Sequence, residues 1–287
     1  MKYWRKNGEA LLYVLPAAVM ITAYFIYSVI YTIVLSFQEW DGLKAPKWVG
    51  FDNYTIIFQD ATYITSLINT LIWVVLSLIV PVGLGLLLSV WLQNLRGQVV
   101  FKNIFYIPYA IALTVVGVIW AILYSKSGVN YLLTELGLSH WTRDWLNTPP
   151  YNTYAMILAA VWQITGTNML LFLVGLSSLP KDPFEAASLD GAGRIRMFFN
   201  VTLPLLNPMT IVVVGMTLVN SFKIFDVIWV MTMGGPYRSS ETFAVTMYRE
   251  SFVLFNFGQG AAIAILLTIA SILVSWFYLK RTIGEVE

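Results

Sequence analysis

Residues 183–205 read PFEAASLDGAGRIRMFFNVTLPL, a polar and partly charged stretch inside a chain that is otherwise strongly apolar. Of the 287 residues, 58% are hydrophobic and 11% charged, with a mean hydropathy of +0.73. A soluble domain carries about 45–50% apolar and about 25% charged residues, so a lipid bilayer is the expected main solvent and the stretch is a place where the chain leaves it. Locally it has the pattern of a short capped helix. Asp182 is expected as N-cap, Pro183 at the first helical position and Glu185 at the third, where it reaches back in a capping box. Gly191 and Gly193 are expected to supply the positive φ that ends the helix at little cost. Two uses remain open on these residues alone: a connector lying on the membrane surface, or a docking element whose alanines let a partner approach closely.

Working outward, six apolar blocks lie near residues 10–37, 65–92, 103–124, 153–177, 208–231 and 259–279. Each reaches the ~20 residues that cross roughly 30 Å of hydrocarbon as a helix. The first is too long for the h-region of a signal peptide and lacks a small-residue cleavage site, so it is expected to be retained. Pro16, Pro81 and Pro108 fall inside or at the edge of blocks, which bundled membrane helices accept because neighbours satisfy the freed carbonyls. Cationic residues near span ends resist translocation. With the N-terminus inside, the inner segments hold Lys2, Arg5, Lys6, Arg96, Lys102, Lys181, Arg194, Arg196, Lys280 and Arg281, ten against the outer six of Lys44, Lys47, Lys126, Arg143, Arg238 and Arg249. The expected fold class is therefore all-α: one polytopic membrane domain over 1–287, six transmembrane helices, both termini cytoplasmic, and the opening stretch in a cytoplasmic loop, 178–207. Tyr3, Trp4, Trp40, Trp48, Tyr106, Tyr109, Trp276 and Tyr278 cluster near the proposed borders, as interfacial anchors do.

Several chemistries are excluded. There is no cysteine, hence no disulfide and no thiolate nucleophile, and the one histidine, His140, stands alone in a polar connection. No G-x-x-x-x-G-K-[ST] loop is present to cradle phosphates; no nucleic-acid partner is expected, though a formal net charge of +2 says almost nothing about partners. Polar residues at membrane depth are the remaining candidates, since an ionisable group there costs at least ~2.5 kcal/mol unless it faces protein or water. In the fifth block Lys223 and Asp226 are three apart, expected on one helical face and close enough to pair, with Asn220 on the same stripe and Thr217 and Ser221 nearby. They read either as a structural ion pair or as the lining of a pathway. The fourth block adds Gln163, Thr165, Thr167 and Asn168, which either join helices or line the same path.

The opening stretch also carries a motif. Glu185-Ala186-Ala187, three residues, Gly191, nine residues, then Val201-Thr202-Leu203-Pro204 resembles the cytoplasmic signature of bacterial ABC importer permeases, with Val201 in place of the usual Ile. Four further stretches, WVGFDNY (48–54), FKNIFYIPYAIALTVVGVIW (101–120), GLSSLPKDPFEAASLDGAG (175–193) and FKIFDVIWVMTMGGP (222–236), resemble the maltose-type, carbohydrate-importing permeases, most nearly the first of their two permease subunits. The resemblance implies the type I ABC importer permease fold in the bacterial cytoplasmic (inner) membrane. It implies a coupling helix seated in a cleft of an ATPase subunit, which assigns Glu185, Ala186, Ala187, Asp190, Gly191, Leu203 and Pro204 to ATPase coupling. It also implies a sugar path touching the fourth and fifth spans, at positions matching Asn168, Thr217, Ser221 and Ile224; Ile224 departs from the polar residue found in the maltose permease. To these the polar stripe adds Asn220, Lys223 and Asp226.

The expected function is thus a non-enzymatic permease subunit of an ATP-driven importer for a sugar or oligosaccharide. The implied partners are a second homologous permease, two ABC ATPases, an extracytoplasmic sugar-binding protein and membrane lipid. No cofactor is expected in this chain, ATP and Mg being bound by the ATPases. The alternatives are a permease for a sugar phosphate or glycerol phosphate derivative, where Lys223 would meet an anion, and a membrane enzyme acting on lipid-linked sugars, which would need acids, bases or metal ligands gathered at one membrane face.

Overall fold

The computed structural model describes residues 13–93 and 95–283, with side chains as far as residue 280. Lys2, Arg5, Lys6, Tyr3, Trp4, the first residues of the first apolar block and the side chain of Arg281 lie outside the described residues. The rest is mostly helical, as hydrocarbon demands: with no water at membrane depth, each amide must find its partner within its own segment. Helix α1 (Tyr13–Leu35) carries a π-helical turn at Ile21–Ile26. A two-residue antiparallel ribbon follows, β1 (Gln38–Glu39) with β2 (Lys47–Trp48), an addition to the all-α expectation. Then come α2 (Asp52–Gln59), α3 (Ala61–Leu92), α4 (Gln98–Tyr106), α5 (Leu113–Leu123), α6 (Val129–Glu135), α7 (Tyr151–Ser177), α8 (Asp182–Leu189), α9 (Arg194–Leu205), α10 (Asn207–Phe222), α11 (Asp226–Thr232), α12 (Phe243–Tyr248) and α13 (Phe257–Ile283).

Four of these, α1, α3, α7 and α13, are long and apolar enough to cross a membrane. Two bent pairs bring the number to six if each pair is one span: α4, extended by a 3-10 turn to Ala110, with α5 at 99°, and α9 with α10 at 70°. The third and fifth apolar blocks, expected as single helices, are both broken, the third at Ile111–Ala112 and the fifth at Lys223–Phe225. Ile111 and Ala112 turn to extended backbone (ψ 133° and 139°), and the freed Ile111 carbonyl accepts the Gln163 amide at 2.6 Å. In the fifth block the helix stops at Phe222 and restarts at Asp226, and the Ile224 carbonyl between them accepts the Thr242 hydroxyl at 3.1 Å. A helix can break inside an apolar block only where a neighbour supplies the lost hydrogen bond, and both breaks meet that condition.

The chain divides into two compact units. The smaller takes residues up to 60 with 246–268. Its aromatic centre is the Phe37 ring, 5.7 Å from Trp48, 5.2 Å from Phe51 and 5.6 Å from Tyr54. Asn53 donates to the Ser36 and Gln38 carbonyls at 2.9 Å each. The Asp41 carboxylate accepts the Lys44 and Leu43 amides at 3.0 Å each, which holds its carboxyl below the usual range. The larger unit takes 61–245 with 269–287. There α3 lies along α7, α10 packs on α3, and α11 packs on α5. Its main core gathers Trp73, Met156, Ala159, Ala160, Val227 and Ile228. The α3–α7 approach is close because Gly85 meets Asn168: a Cβ on Gly85 would stand 2.7 Å from the Asn168 Cβ. Gly166 likewise presses against the Phe105 carbonyl. Membrane helices associate by such small-residue contacts, since lipid gives them no hydrophobic drive to pair.

Candidate functional site

The short polar helix α8 forms as its sequence demands, with two corrections. Its N-cap is Lys181 rather than Asp182, and no side chain caps it. Lys181 already has helical dihedrals (φ −81°, ψ −31°), and its carbonyl accepts the Phe184 and Glu185 amides at 3.0 and 3.1 Å, which draws Asp182 into the first turn. Asp182 and Glu185 there still complement the positive end of the helix dipole. The other end closes in a Schellman motif. The Gly191 amide donates to the Ser188 carbonyl at 3.1 Å and the Ala192 amide to the Ala187 carbonyl at 3.0 Å, with Gly191 at φ +75°. Gly193 is not left-handed; at φ −67°, ψ 166° it is the N-cap of α9.

The helix stands out from the unit. Glu185, Ala186, Leu189, Asp190 and Gly191 are exposed, Leu189 by 89%, whereas Phe184 and Ala187 are half-buried. Leu203 is half-buried and Pro204 exposed in the last turn of α9, just ahead of the 70° bend. Ala186 therefore presents a flat, small-side-chain surface flanked by the Glu185 and Asp190 carboxylates.

The polar residues of the fourth and fifth blocks divide into two sets. Asn168, Thr217 and Ser221 are buried at the contact of α7 with α10, where the Thr217 hydroxyl donates to Asn168 Oδ1 at 3.4 Å and Ser221 bonds the Leu218 carbonyl at 2.7 Å. Asn168 Nδ2 and Thr167 Oγ1 are buried with no acceptor. Asn220, Lys223 and Asp226 are exposed. The Lys223–Asp226 pair expected on one helical face is not formed: the break after Phe222 removes the shared helix, and the two side chains make no ion pair with each other. Gln163, a candidate for the same patch, is committed to the Ile111 carbonyl, and Thr165 to the Val161 carbonyl at 2.7 Å.

Loop 233–242 holds residues that sequence reasoning did not single out. Asn69 on α3 donates to the Ser239 and Glu241 carbonyls at 2.8 and 2.9 Å, and Asn152 on α7 to the Gly235 carbonyl at 3.0 Å. Glu241 is fully buried and takes the Arg238 Nε–H at 3.0 Å, although Arg238 belongs to a segment expected outside the membrane. Tyr237, at φ +50°, is 99% exposed at the tip. For Asn69 the signal was available, an amide inside a long apolar helix where an unpartnered amide is costly; Asn152 stands at the first turn of α7, just ahead of the fourth apolar block.

Long apolar helices, polar side chains turned inward and spans broken at bonded carbonyls define a polytopic integral membrane protein, with a rigid short helix protruding from one polar loop. The chain belongs to the family of binding-protein-dependent transport system inner membrane components, whose profile matches residues 80–281. It is 33% identical over 273 residues to a probable ABC transporter permease protein of Pyrococcus horikoshii, covering 94% of each chain. It is 31% identical over 284 residues to the arabinooligosaccharides transport system permease protein of Bacillus subtilis, covering 97% of this chain and 90% of that one. Its fold matches a chain of a bacterial ABC transporter involved in import of the acidic polysaccharide alginate, with a TM-score of 0.87, 22% identity and full coverage of both chains. The protein is thus an inner-membrane permease component of an ABC transporter, a transport subunit and not an enzyme.

Proposed function

We propose that this chain forms half of the membrane pathway for a sugar or oligosaccharide in an ATP-driven importer. It spans the membrane six times, near residues 10–37, 65–92, 103–124, 153–177, 208–231 and 259–279, with both termini in the cytoplasm. A second homologous permease supplies the other half of the pathway. An extracytoplasmic binding protein delivers the cargo, and two ATPases, which bind ATP and Mg, drive the cycle. The similarity to an arabinooligosaccharide permease over nearly the whole chain supports a carbohydrate cargo.

The observation that carries the coupling role is the exposed Ala186, with Glu185, Asp190 and Gly191, on a helix locked by a Schellman closure. A lever must be rigid to transmit a push and small-faced to seat in a cleft. Glu185, Ala186, Ala187 and Asp190 form the contact; Gly191 fixes the exit, and Leu203 and Pro204 carry the movement into α10 through the bend. ATP-driven closure of the ATPases then biases a two-state rearrangement of the spans.

In the pathway, Asn220, Lys223 and Asp226 are the exposed polar groups, and lipid is an unfavourable neighbour for all three. They line the path against the second permease. Asn168, Thr217 and Ser221, buried at the α7–α10 contact, form the wall behind. A path with few hydrogen bonds suits a site that must release its cargo every cycle.

The test uses the absence of native cysteine. Ala186→Cys in the assembled transporter, treated with a short thiol–amine cross-linker, should capture the ATPase subunit. Failure of Ala186→Cys and Ala187→Cys to capture any ATP-hydrolysing protein would end the coupling assignment.

A further inference from the structure

Residues 124–147 join α5 to α7 and, on the orientation proposed above, lie outside the membrane. They enclose a cavity of about 520 Å³, within the range of small-molecule pockets. Its wall is shaped by Asn130 on α6, whose side chain takes the Arg143 amide at 3.3 Å and Trp145 Nε1 at 2.9 Å, while its own amide donates to the Arg143 carbonyl at 2.8 Å. Those bonds fix the backbone that carries Arg143 and leave its guanidinium free of them.

The Arg143 guanidinium lies over two rings, its Cζ 4.1 Å from the Tyr151 centroid and 5.4 Å from that of Trp145. Its Nε is buried and has no acceptor, and the side chain forms no ion pair or hydrogen bond. A buried, ring-stacked donor without a partner calls for an acceptor that the chain itself does not supply, a water or a ligand. The remaining lining is mixed. Lys126 adds a second cation, Glu135 and Asp144 add two carboxylates, and Tyr131 offers an exposed ring. Asp144 is engaged by the Asn147 amide, but Glu135 is free.

The charges balance, two against two, so a carboxylate or phosphate would meet as much repulsion as attraction. A neutral polyol fits instead. Its vicinal hydroxyls accept from the guanidinium and donate to a carboxylate, and its apolar C–H face lies on an aromatic ring. We propose that this cavity is a carbohydrate subsite on the extracytoplasmic face of the permease, separate from the pathway residues of α10, where the sugar is held between release by the binding protein and movement into the membrane. The inference rests on the sugar reading above and deepens it.

The full chain in lipid nanodiscs, without binding protein or ATPases, is probed by saturation-transfer NMR with glucose-, galactose- and arabinose-based di- and trisaccharides, and with galacturonate as the anionic arm. At least one neutral oligosaccharide should bind saturably. Arg143→Gln should weaken that binding at least tenfold, and Glu135→Gln, at an exposed position outside the Asn130 clamp, severalfold. Binding that both variants leave unchanged, a preference for galacturonate, or no transfer to any sugar overturns the subsite. Uptake by the assembled transporter separates the two readings. Sugar import with an unaltered KM in both variants removes the subsite and leaves the sugar assignment standing, whereas a wild-type transporter that imports no sugar removes the assignment itself, the NMR result judging the cavity independently.

Discussion

At the scale of single residues, the larger unit is held by a few polar side chains, each placed where the backbone would otherwise be unsatisfied. Gln163 serves the break at Ile111, Thr242 the break at Ile224, and Asn69 and Asn152 the loop at 233–242. Interhelical bonds in membranes contribute on average ~0.6 kcal/mol and up to ~1.7 kcal/mol, and Gln163 should stand at the upper end because no water replaces it. Gln163→Met should therefore lower the thermal unfolding midpoint in detergent by several degrees without disturbing assembly. Arg238 and Glu241 allow a sharper test, because Glu241 is fully buried and its ion pair measures 3.0 Å. Removing one partner of a fully buried pair typically costs ~3–5 kcal/mol, whereas replacing both can be close to neutral; with Arg238 27% exposed, this pair falls below that range. Arg238→Gln alone should lower the unfolding midpoint, and Glu241→Gln in the same chain should recover part of the loss. Additive losses in the double variant would show that Glu241 is held by other contacts.

At the scale of elements, the sequence made the length and apolar character of α3 and α7 legible because each is a mostly apolar run, of 32 and 27 residues, long enough to cross the hydrocarbon as a helix. The breaks at Ile111 and at Lys223–Phe225 were not legible. Both lie inside apolar blocks without a proline at the break itself, and what permits them is a side chain distant in sequence. The short helix α8 was legible in existence and position but not in its first turn. Local preference put Asp182 at the cap, and the backbone instead starts one residue earlier. Its C-terminal end, by contrast, followed from glycine alone, since Gly191 sits at φ +75° where a side chain is strained. That strain gives a graded prediction. Gly191→Asn, a residue tolerant of the left-handed region, should preserve transport, while the β-branched Gly191→Val should loosen the closure and sever ATP hydrolysis from uptake. The readout is the ratio of sugar transported to phosphate released, which should fall with Val and hold with Asn. Equal ratios in both variants would mean that the rigidity of this exit does not matter to coupling.

At the scale of the whole molecule, the division of the polar residues into buried and exposed sets limits what one chain can do. Asn168, Thr217 and Ser221 are enclosed between helices of this chain, whereas Asn220, Lys223 and Asp226 stand open with no ion pair between the two charges. The candidate pathway was legible as a set of residue types but not as a surface, because the break after Phe222 decides which side chains turn outward. The orientation proposed for the spans follows from ten cationic residues against six, and the cysteine-free chain makes it directly measurable. Leu189 and Tyr237 are 89% and 99% exposed, on polar segments that this orientation assigns to opposite sides of the membrane. In intact cells or right-side-out vesicles, a membrane-impermeant maleimide should label Tyr237→Cys at once and reach Leu189→Cys only after the membrane is opened. Labelling at Leu189→Cys from outside would reverse the topology and with it the cytoplasmic place of the coupling helix. Protection of Leu189→Cys after lysis, specifically when the ATPase subunits are present, would map the partner's footprint onto the same helix that the sequence motif marks.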